Sequence, residues 1–307
     1  MALGGNALLE RGERPDAEIE ERHIARAVAT LGPLCAAHEA VVTHGNGPQV
    51  GLLALESDAD PALSRGYPLD ALGAQTQGMI GYWLAQGLRN VVSTRAFVAL
   101  VCQTVVHGDD PAFAEPSKFV GQLYEKAEAD RLASGRGWAV RPDGTGWRRV
   151  VPSPHPREIV ELPLIERLVA EGCGVVCCGG GGIPVVRQAD GTLRGVEAVI
   201  DKDRTAALLA ERLGADGLLI LTDVPAVEMG FGTPAARALR QVSAAALRRH
   251  AFPDGSMGPK VEAACDFVEA TGGTAVIGQL DDAAALAAGE AGTVVRPVAS
   301  ADDALLA

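Results

Sequence analysis

Aromatic side chains and long apolar runs are both scarce in this chain of 307 residues. Phe, Trp and Tyr together make up 4% of it, so the hydrophobic core has to consist mainly of aliphatic side chains. No apolar run approaches the ~18 residues that a membrane-spanning helix requires, and no basic and apolar leader opens the chain. We therefore expect a cytoplasmic protein that makes no contact with a membrane.

Positive charge is the minority sign, since 27 Lys and Arg residues oppose 39 Asp and Glu residues and give a formal net charge of −12. Proteins that bind nucleic acid need a basic stripe to displace counterions. The tight basic clusters here are only pairs, such as Arg148-Arg149 and Arg248-Arg249. We therefore expect no nucleic-acid partner. An anionic substrate is still compatible with the sequence, because a few lysines reverse the field within one cleft.

The six cysteines form no Cys-x-x-Cys pair and lie mostly inside apolar runs. This usage is typical of buried thiols in a reducing compartment and disfavours a metal site. The residues are Cys35, Cys102, Cys173, Cys177, Cys178 and Cys265.

Short apolar strands alternate with amphipathic helices, which predicts an α/β protein with a largely parallel sheet. One such unit is a helix over 162–171, closed by Gly172, followed by a strand over 174–178. The other predicted elements are strands over 39–43, 218–221 and 275–277 and helices over 203–213 and 259–271. Gly-rich or polar turns follow four of these strands, at the edge where open α/β sheets bind ligands.

The stretch 109–156 breaks this alternation and holds two of the three tryptophans, Trp138 and Trp147. The segments that contain them flank Pro-Asp-Gly-Thr-Gly at 142–146, a sequence typical of a β-hairpin turn. We predict that this stretch forms an inserted subdomain that protrudes from the sheet.

Two glycine-rich turns follow apolar segments, Gly4-Gly5-Asn6 near the start and the four glycines at 179–182. Glycine lets backbone N–H groups approach an anion that a Cβ would block. Taken singly, each is also explained as a simple tight turn. The dinucleotide-binding fingerprint fails because Val185 occupies its third glycine position, and no GxxxxGK[ST] sequence occurs.

Only four lysines occur in the chain, and two of them lie where predicted helices begin. Lys202 follows Asp201, and Lys260 follows Pro259. A cation in the first turn of a helix opposes the helix dipole by up to ~1 kcal/mol. An anion bound beside both helix N-termini would explain both positions, whereas solvated surface lysines are the competing interpretation. The remaining lysines are Lys118 and Lys126.

Three further polar residues lie close to these lysines or glycines in sequence. Asp201 and Asp203 flank Lys202 and could orient the lysines or hold metal-bound water, and Asp203 is equally a candidate helix N-cap. His44 precedes a Gly-Asn-Gly turn and could act as a general base. We favour a turn histidine satisfied by a backbone contact. If the reaction were transfer of a phosphoryl group to an anionic acceptor, no base would be needed in any case.

Seven segments of the chain resemble carbamate kinases, in the same order and along the full length. The segments are ALGGNAL at 2–8, THGNGPQVG at 43–51, PLDALGAQTQGMIGYWL at 68–84, GWRRVVPSP at 146–154, CGGGGIPVV at 178–186, GVEAVIDKD at 195–203 and GSMGPKVEAA at 255–264. The resemblance implies the amino-acid-kinase fold, an open αβα sandwich that forms a homodimer. It also implies that Mg²⁺ accompanies ATP as phosphoryl donor to carbamate, giving ADP and carbamoyl phosphate, or the reverse.

The same resemblance implies which residues carry the chemistry. The catalytic residues of the family match Lys118, Lys202, Asp203 and Lys260. Its phosphate- and substrate-binding turns match Gly4, Gly5, Asn6, Gly45, Asn46, Gly47, Gly180, Gly181 and Gly182. Its nucleotide pocket matches Thr222, Asp223, Phe231, Met257 and again Lys260. Residues 1–190 would then form the acceptor and dimerisation lobe, including the subdomain, and residues 191–307 the nucleotide lobe.

Three positions bear on how closely the chain follows this family. The sequence opens at Met1, just before the first glycine turn, so we expect a short central strand, most simply explained by a start codon set too far downstream. Phe119 follows Lys118 where the family usually has proline, so we expect a more mobile lid. Ala2 stands where other acid kinases of this fold carry lysine, which favours carbamate as acceptor. The alternatives are a kinase of another small carboxylate or phosphonate, and a non-catalytic nucleotide-binding regulator.

Overall fold

Strands and helices alternate along most of the computed structural model, which describes residues 1–10, 13–253 and 257–306, apart from the side chain of Asn6. Gly255, part of one quoted segment, lies outside these ranges. The helices are α1 (Ala17–Ala37), α2 (Gly47–Ala59), α3 (Leu69–Val91), α4 (Lys126–Arg136), α5 (Leu162–Ala170), α6 (Lys202–Arg212), α7 (Ala244–Arg248), α8 (Met257–Thr271) and α9 (Ala283–Ala287). The strands are β1 (Ala2–Leu3), β2 (Val41–His44), β3 (Phe97–Ala99), β4 (Gln103–Val105), β5 (Lys118–Tyr124), β6 (Ala139–Asp143), β7 (Gly146–Val151), β8 (Glu158–Ile159), β9 (Gly174–Val176), β10 (Ile183–Arg187), β11 (Leu193–Gly195), β12 (Gly217–Thr222), β13 (Glu228–Met229), β14 (Arg237–Ala238), β15 (Gln241–Ser243), β16 (Thr274–Gln279) and β17 (Thr293–Arg296).

Eight of these strands form the central sheet, in the order β15-β17-β16-β12-β1-β2-β9-β3. Neighbours pair in parallel except β16 and β17, which are antiparallel. Side chains alternate between the two faces of a strand, so Leu3 and Leu221 pack with α1, α3 and α9. Ala2 and Ile220 instead pack with α6, α7 and α8 on the other face. The predicted sandwich of a largely parallel sheet between helices is confirmed.

Most of the predicted elements are present with small shifts at their ends. The helices predicted over 162–171, 203–213 and 259–271 are α5, α6 and α8. Gly172 has φ 80°, the left-handed conformation predicted for a glycine that closes a helix. The strand predicted over 174–178 ends earlier, at Val176, because Cys178 already has a left-handed φ of 52° and cannot continue a strand.

The central strand β1 is short, as predicted, and consists of two residues between β12 and β2. Ala2 is paired with Ile220 on one side and Thr43 on the other. The ammonium group of Met1 donates a hydrogen bond to the Val41 carbonyl at 2.8 Å. Burial disfavours the charge of this ammonium group and lowers its pKa below the ordinary value.

Within the stretch 109–156, three strands form a separate antiparallel sheet in the order β5-β7-β6, and residues 118–152 are called the subdomain from here on. The predicted hairpin joins β6 to β7, with Asp143 paired to Gly146 across the turn. The subdomain lies against α2 where two glycines meet, and a Cβ on Gly51 would lie 2.4 Å from the Cα of Gly121. This close approach requires glycine at position 51.

The cysteines are free thiols, and all except the half-buried Cys173 are buried, as predicted. Within the described ranges, no helix is both long and apolar enough to cross a membrane.

Candidate active site

The glycine turns that follow β1 and β2 lie directly side by side at one edge of the sheet. The backbone N–H of Gly45 donates to the Leu3 carbonyl at 3.0 Å. A Cβ on Gly45 would lie 2.8 Å from the backbone nitrogen of Gly5. The two turns, which are forty residues apart in sequence, therefore touch backbone to backbone, and glycine is needed for the contact. The side chain of Asn6 lies outside the described part of the structure.

The third glycine turn, after β9, meets the second one at the same place. A Cβ on Gly180 would lie 2.2 Å from the side-chain nitrogen of Asn46. The carbonyl of Gly181 accepts hydrogen bonds from the hydroxyl groups of Thr104 at 2.9 Å and Thr205 at 3.0 Å. Gly180, Gly181 and Gly182 all have positive φ, which is the conformation that favours glycine. All three turns predicted from the sequence thus converge.

Asp203 brings two of the predicted lysines together beside these turns. Its two carboxylate oxygens accept hydrogen bonds from Lys202 Nζ at 2.5 Å and from Lys260 Nζ at 3.0 Å. A Cβ on Gly45 would lie 3.4 Å from Cδ of Lys202, so the stem of this lysine passes under the second turn. Lys202 and Lys260 are 11% and 15% exposed, which excludes the interpretation as solvated surface lysines.

The electrostatics of this cluster follow from burial and from the shared carboxylate. Burial disfavours the charge of Lys202 and lowers its pKa below the ordinary lysine value, in spite of Asp203. Burial acts in the same direction on Lys260, but the Asp203 carboxylate outweighs it and raises that pKa. Burial favours the neutral form of Asp203, and the two ammonium groups overcome it and keep its pKa low. The cluster therefore places one carboxylate between two ammonium groups, of which that of Lys202 loses its proton more readily.

Asp201, not Asp203, is the N-cap of α6, so the N-cap predicted for Asp203 is wrong. One carboxylate oxygen of Asp201 accepts from the backbone N–H groups of Asp203 at 2.9 Å and Arg204 at 3.3 Å. The reason is that α6 begins at Lys202, so Asp203 already lies inside the first turn. The other Asp201 oxygen accepts from Lys118 Nζ at 2.5 Å, which brings the subdomain lysine to the same site.

Two of the predicted nucleotide residues lie next to the cluster, at the end of β12. The Thr222 hydroxyl donates to the Asp223 carboxylate at 3.1 Å. Both residues line a polar cleft of about 390 Å³. Against the opposing effect of burial, Asp223 acts with Asp203 to raise the pKa of Lys260. Met257 begins α8 and packs half-buried against the core, whereas Phe231 stays at the surface, 70% exposed.

Comparison with known proteins shows similarity over nearly the whole length of this chain. A profile of the amino acid kinase family matches residues 1–279. The carbamate kinase of Rhizobium meliloti (strain 1021) is 51% identical over 298 residues, covering 96% of this chain and 92% of that protein. The carbamate kinase of Pyrococcus furiosus is 44% identical over 309 residues, covering 97% and 98%. This chain belongs to the carbamate kinases of the amino acid kinase family.

A solved structure gives the same result at the level of the fold. The carbamate kinase from Giardia lamblia bound to AMP-PNP has a TM-score of 0.86 and 39% sequence identity, and the match covers 96% of both chains. The amino-acid-kinase fold that the resemblance implied is therefore confirmed for this chain.

His44 is buried at the end of β2, and its ring Nδ1 donates to the Gly45 carbonyl at 2.9 Å. Burial lowers the pKa of His44 to about 4, with a smaller contribution from the nearby Lys202 charge. A Cβ on Gly179 would lie 2.3 Å from its Nε2, so the neighbouring turn covers the other ring nitrogen. The structure agrees with the interpretation as a turn histidine satisfied by the backbone.

The structure also shows residues that the sequence interpretation missed, and they brace the glycine turns from α3. The Asn46 side chain donates to the Thr76 hydroxyl at 2.8 Å. The Gln77 carboxamide accepts from the Cys102 N–H at 2.8 Å and donates to the Cys102 carbonyl at 3.1 Å. Thr76 lies four residues after Leu72, on the buried face of α3. A polar residue on that apolar stripe is the signal that could have identified it.

Proposed function

We propose that this protein catalyses the reversible transfer of a phosphoryl group between ATP and carbamate, giving ADP and carbamoyl phosphate. The observation that carries the proposal is the Asp203 carboxylate, which holds two buried ammonium groups beside three converging glycine turns. Phosphoryl transfer needs positioned positive charge and backbone N–H donors around the transferred group. It does not need a covalent bond between that group and the enzyme. This cluster supplies both the charge and the donors.

In the proposed mechanism the lysines neutralise the equatorial oxygens of the transferred group. Lys202 reaches it from beneath the Gly45 turn, and Lys260 reaches it from the start of α8. Asp203 does not touch the phosphoryl group, because both of its oxygens are occupied by the two ammonium groups. Its role is to hold the two ammonium groups in fixed positions relative to each other. The backbone N–H groups of the turns at 4–6 and 45–47 donate to the remaining phosphate oxygens.

The acceptor needs no general base in this mechanism, because carbamate is already an anion. His44 is a poor base in any case, since its pKa is lowered to about 4 by burial and its Nδ1 is engaged with the backbone. The glycines at 180–182 form the wall of the acceptor pocket, and a wall without side chains suits an acceptor as small as carbamate.

Mg²⁺ accompanies the nucleotide, and the residues at the site fit an ion that the protein does not itself cage. Both oxygens of Asp203 contact lysines, and those of Asp201 contact Lys118 and the α6 backbone. In the part of the chain that is described, no group of three or more His, Cys, Asp or Glu side chains is arranged to hold a metal ion. Mg²⁺ keeps several water ligands and binds phosphates readily, where it neutralises their charge.

The nucleotide itself is assigned to the C-terminal lobe, residues 191–307, and the acceptor to residues 1–190. Thr222 and Asp223 contact the nucleotide at the end of β12, and Met257 and Phe231 close over its base. The exposed ring of Phe231 is available for this without rearrangement of the core.

The assembly we propose is a cytoplasmic homodimer, as the resemblance implies. It is supported by the free edge of the central sheet at β3 and by α3, which packs on β3 and exposes Tyr82. Light scattering coupled to size exclusion tests it: a mass near the 31.7 kDa of one chain at micromolar concentration would contradict the dimer.

The activity is tested by measuring ATP formation from carbamoyl phosphate and MgADP in a coupled assay. Asp203→Asn is the matched control, because it keeps the shape of the side chain and removes its charge. We expect ATP formation by the natural protein and a loss of about 100-fold in the variant, because Lys202 and Lys260, the charge donors to the transition state, lose the carboxylate that positions them. Faster turnover of acetyl phosphate than of carbamoyl phosphate would favour another small-carboxylate kinase. Nucleotide binding without turnover of either would indicate a regulator.

A further inference from the structure

The segment 196–201, here called the connector, joins β11 to α6 and contacts the protruding subdomain at three points. Glu197 accepts a hydrogen bond from Arg149 of β7 at 3.2 Å. The Val199 N–H donates to the Pro152 carbonyl at 3.0 Å. Asp201 accepts from Lys118 of β5. The connector therefore links the base of the subdomain to the helix that carries Lys202 and Asp203.

Both ends of the connector are also hydrogen-bonded to helices outside the subdomain, in the part of the protein here called the body. The second carboxylate oxygen of Glu197 accepts from the N–H of Leu69, the first residue of α3, at 3.0 Å. The second oxygen of Asp201 caps α6. Each carboxylate thus has one oxygen on the subdomain and one on a helix N-terminus of the body.

We infer that Asp201 is a positioning residue, which holds the Lys118 ammonium at the site with one oxygen while it fixes the start of the catalytic helix with the other. This inference rests on the proposed function. Lys118 is part of β5, so without a partner its ammonium would move with the subdomain. An ammonium has three N–H donors. One is used by Asp201, and two are left for the oxygens of the transferred group.

Helix capping alone does not explain an aspartate at this position. Asn, Ser and Thr cap helices about as well as Asp does. Asp201 is 5% exposed, and a buried carboxylate is costly unless a cation pairs with it. Its cation comes from the subdomain, 83 residues away in sequence. Lys118 is 30% exposed, so its ammonium is paired and still accessible to a ligand.

The test is Asp201→Asn, which keeps the cap and removes the charge that holds Lys118. We expect kcat to fall at least 10-fold, with the KM for ADP within a factor of two and the melting temperature nearly unchanged. In a Lys118→Ala background the same substitution should change kcat less than 3-fold, because the two residues act as one unit. The control is Asp143→Asn, which removes an ion pair with Arg148 inside the subdomain and should leave kcat within a factor of two.

Hydrogen exchange gives a readout that does not depend on activity. We expect Asp201→Asn to speed amide exchange in β5 while the first turn of α6 stays protected. This separates the two proposals, since absence of ATP formation by the unaltered protein overturns the activity, and unchanged exchange in β5 overturns the role of Asp201.

Besides unchanged exchange in β5, three results would overturn the inference. Near-normal kcat in Asp201→Asn would show that Asp201 acts only as the N-cap of α6. Equal fold-losses in the natural and Lys118→Ala backgrounds would show that it acts independently of Lys118. If Asp201→Asn fails to fold, Asp201→Ser takes its place, and failure of both would make the residue a requirement for stability only.

Discussion

At the scale of single residues, Lys202 combines burial with a charge that the proposed mechanism uses. We expect Lys202→Ala to lower kcat by ~10²–10³, the typical loss for one preorganised charge donor, while circular dichroism shows an unchanged fold. Lys126→Ala is the matched control, because Lys126 is an exposed lysine paired with Asp130 on α4. Retention of more than a third of the rate by Lys202→Ala would contradict its assignment.

The burial of Lys202 also predicts the direction of the alkaline pH dependence. Its lowered pKa means that it loses its proton at a lower pH than an ordinary lysine, which titrates at about 10.4. The proposed mechanism requires the protonated form, so kcat/KM should fall as the pH rises, and this fall should begin below the pKa of an ordinary lysine. Lys202→Arg, which stays protonated, should retain some activity and lose this decline. An identical decline in Lys202→Arg would assign it to another group.

In the proposed mechanism Lys260 differs from Lys202 because it would face phosphates that are present in the ground state. We expect Lys260→Ala to lower kcat and also to raise the KM for ADP, since ground-state binding is lost together with transition-state binding. Steady-state kinetics at varied MgADP measure both effects. Unchanged KM and unchanged kcat together would show that Lys260 has no role in the reaction.

At the scale of secondary structure, β1 is shorter than the strands on both sides of it. The register pairs Ala2 with Ile220 and so brings Met1 opposite Leu219, which leaves Gly217 and Leu218 of β12 extending beyond Met1. Two β-branched residues added before Met1 would pair with this overhang and move the ammonium group into solvent. We expect a higher melting temperature. Identical midpoints would show that the short strand is tolerated.

A matched extension with Gly and Ser separates the strand pairing from the charge, since it also moves the ammonium but contributes little to a strand. The unfavourable effect of the Met1 ammonium group on the stability of the folded protein changes with pH in a definite direction. The pKa of the ammonium is lowered in the folded protein, so this effect is absent well above the ordinary pKa of about 8 and grows as the pH falls through that value. The gain from either extension should therefore be larger at pH 6 than at pH 9, as measured by thermal melts.

At the scale of the whole molecule, the subdomain is a small sheet attached to the body through Lys118, the connector and the Gly51–Gly121 contact. A lid that closes on a substrate is mobile when the site is empty. We expect carbamoyl phosphate with MgADP to slow hydrogen exchange within 118–151, and Lys118→Ala to lower kcat with little effect on nucleotide binding. Equal protection with and without ligands, together with full activity of Lys118→Ala, would make the subdomain a structural feature only.

The sequence by itself determined the layered α/β fold, the hairpin of the subdomain and the three glycine turns, because hydrophobic period and glycine conformation are local properties of a chain. The scarcity of lysine also singled out Lys202 and Lys260. Only the tertiary structure decided the contacts of the two aspartates. Asp201 caps α6 and pairs with Lys118. Asp203 accepts hydrogen bonds from both Lys202 and Lys260. Asp201 and Asp203 lie two residues apart and carry the same functional group, so the sequence does not distinguish their roles. The partner of each carboxylate sets its role, and Lys118 and Lys260 come from segments that are distant in sequence.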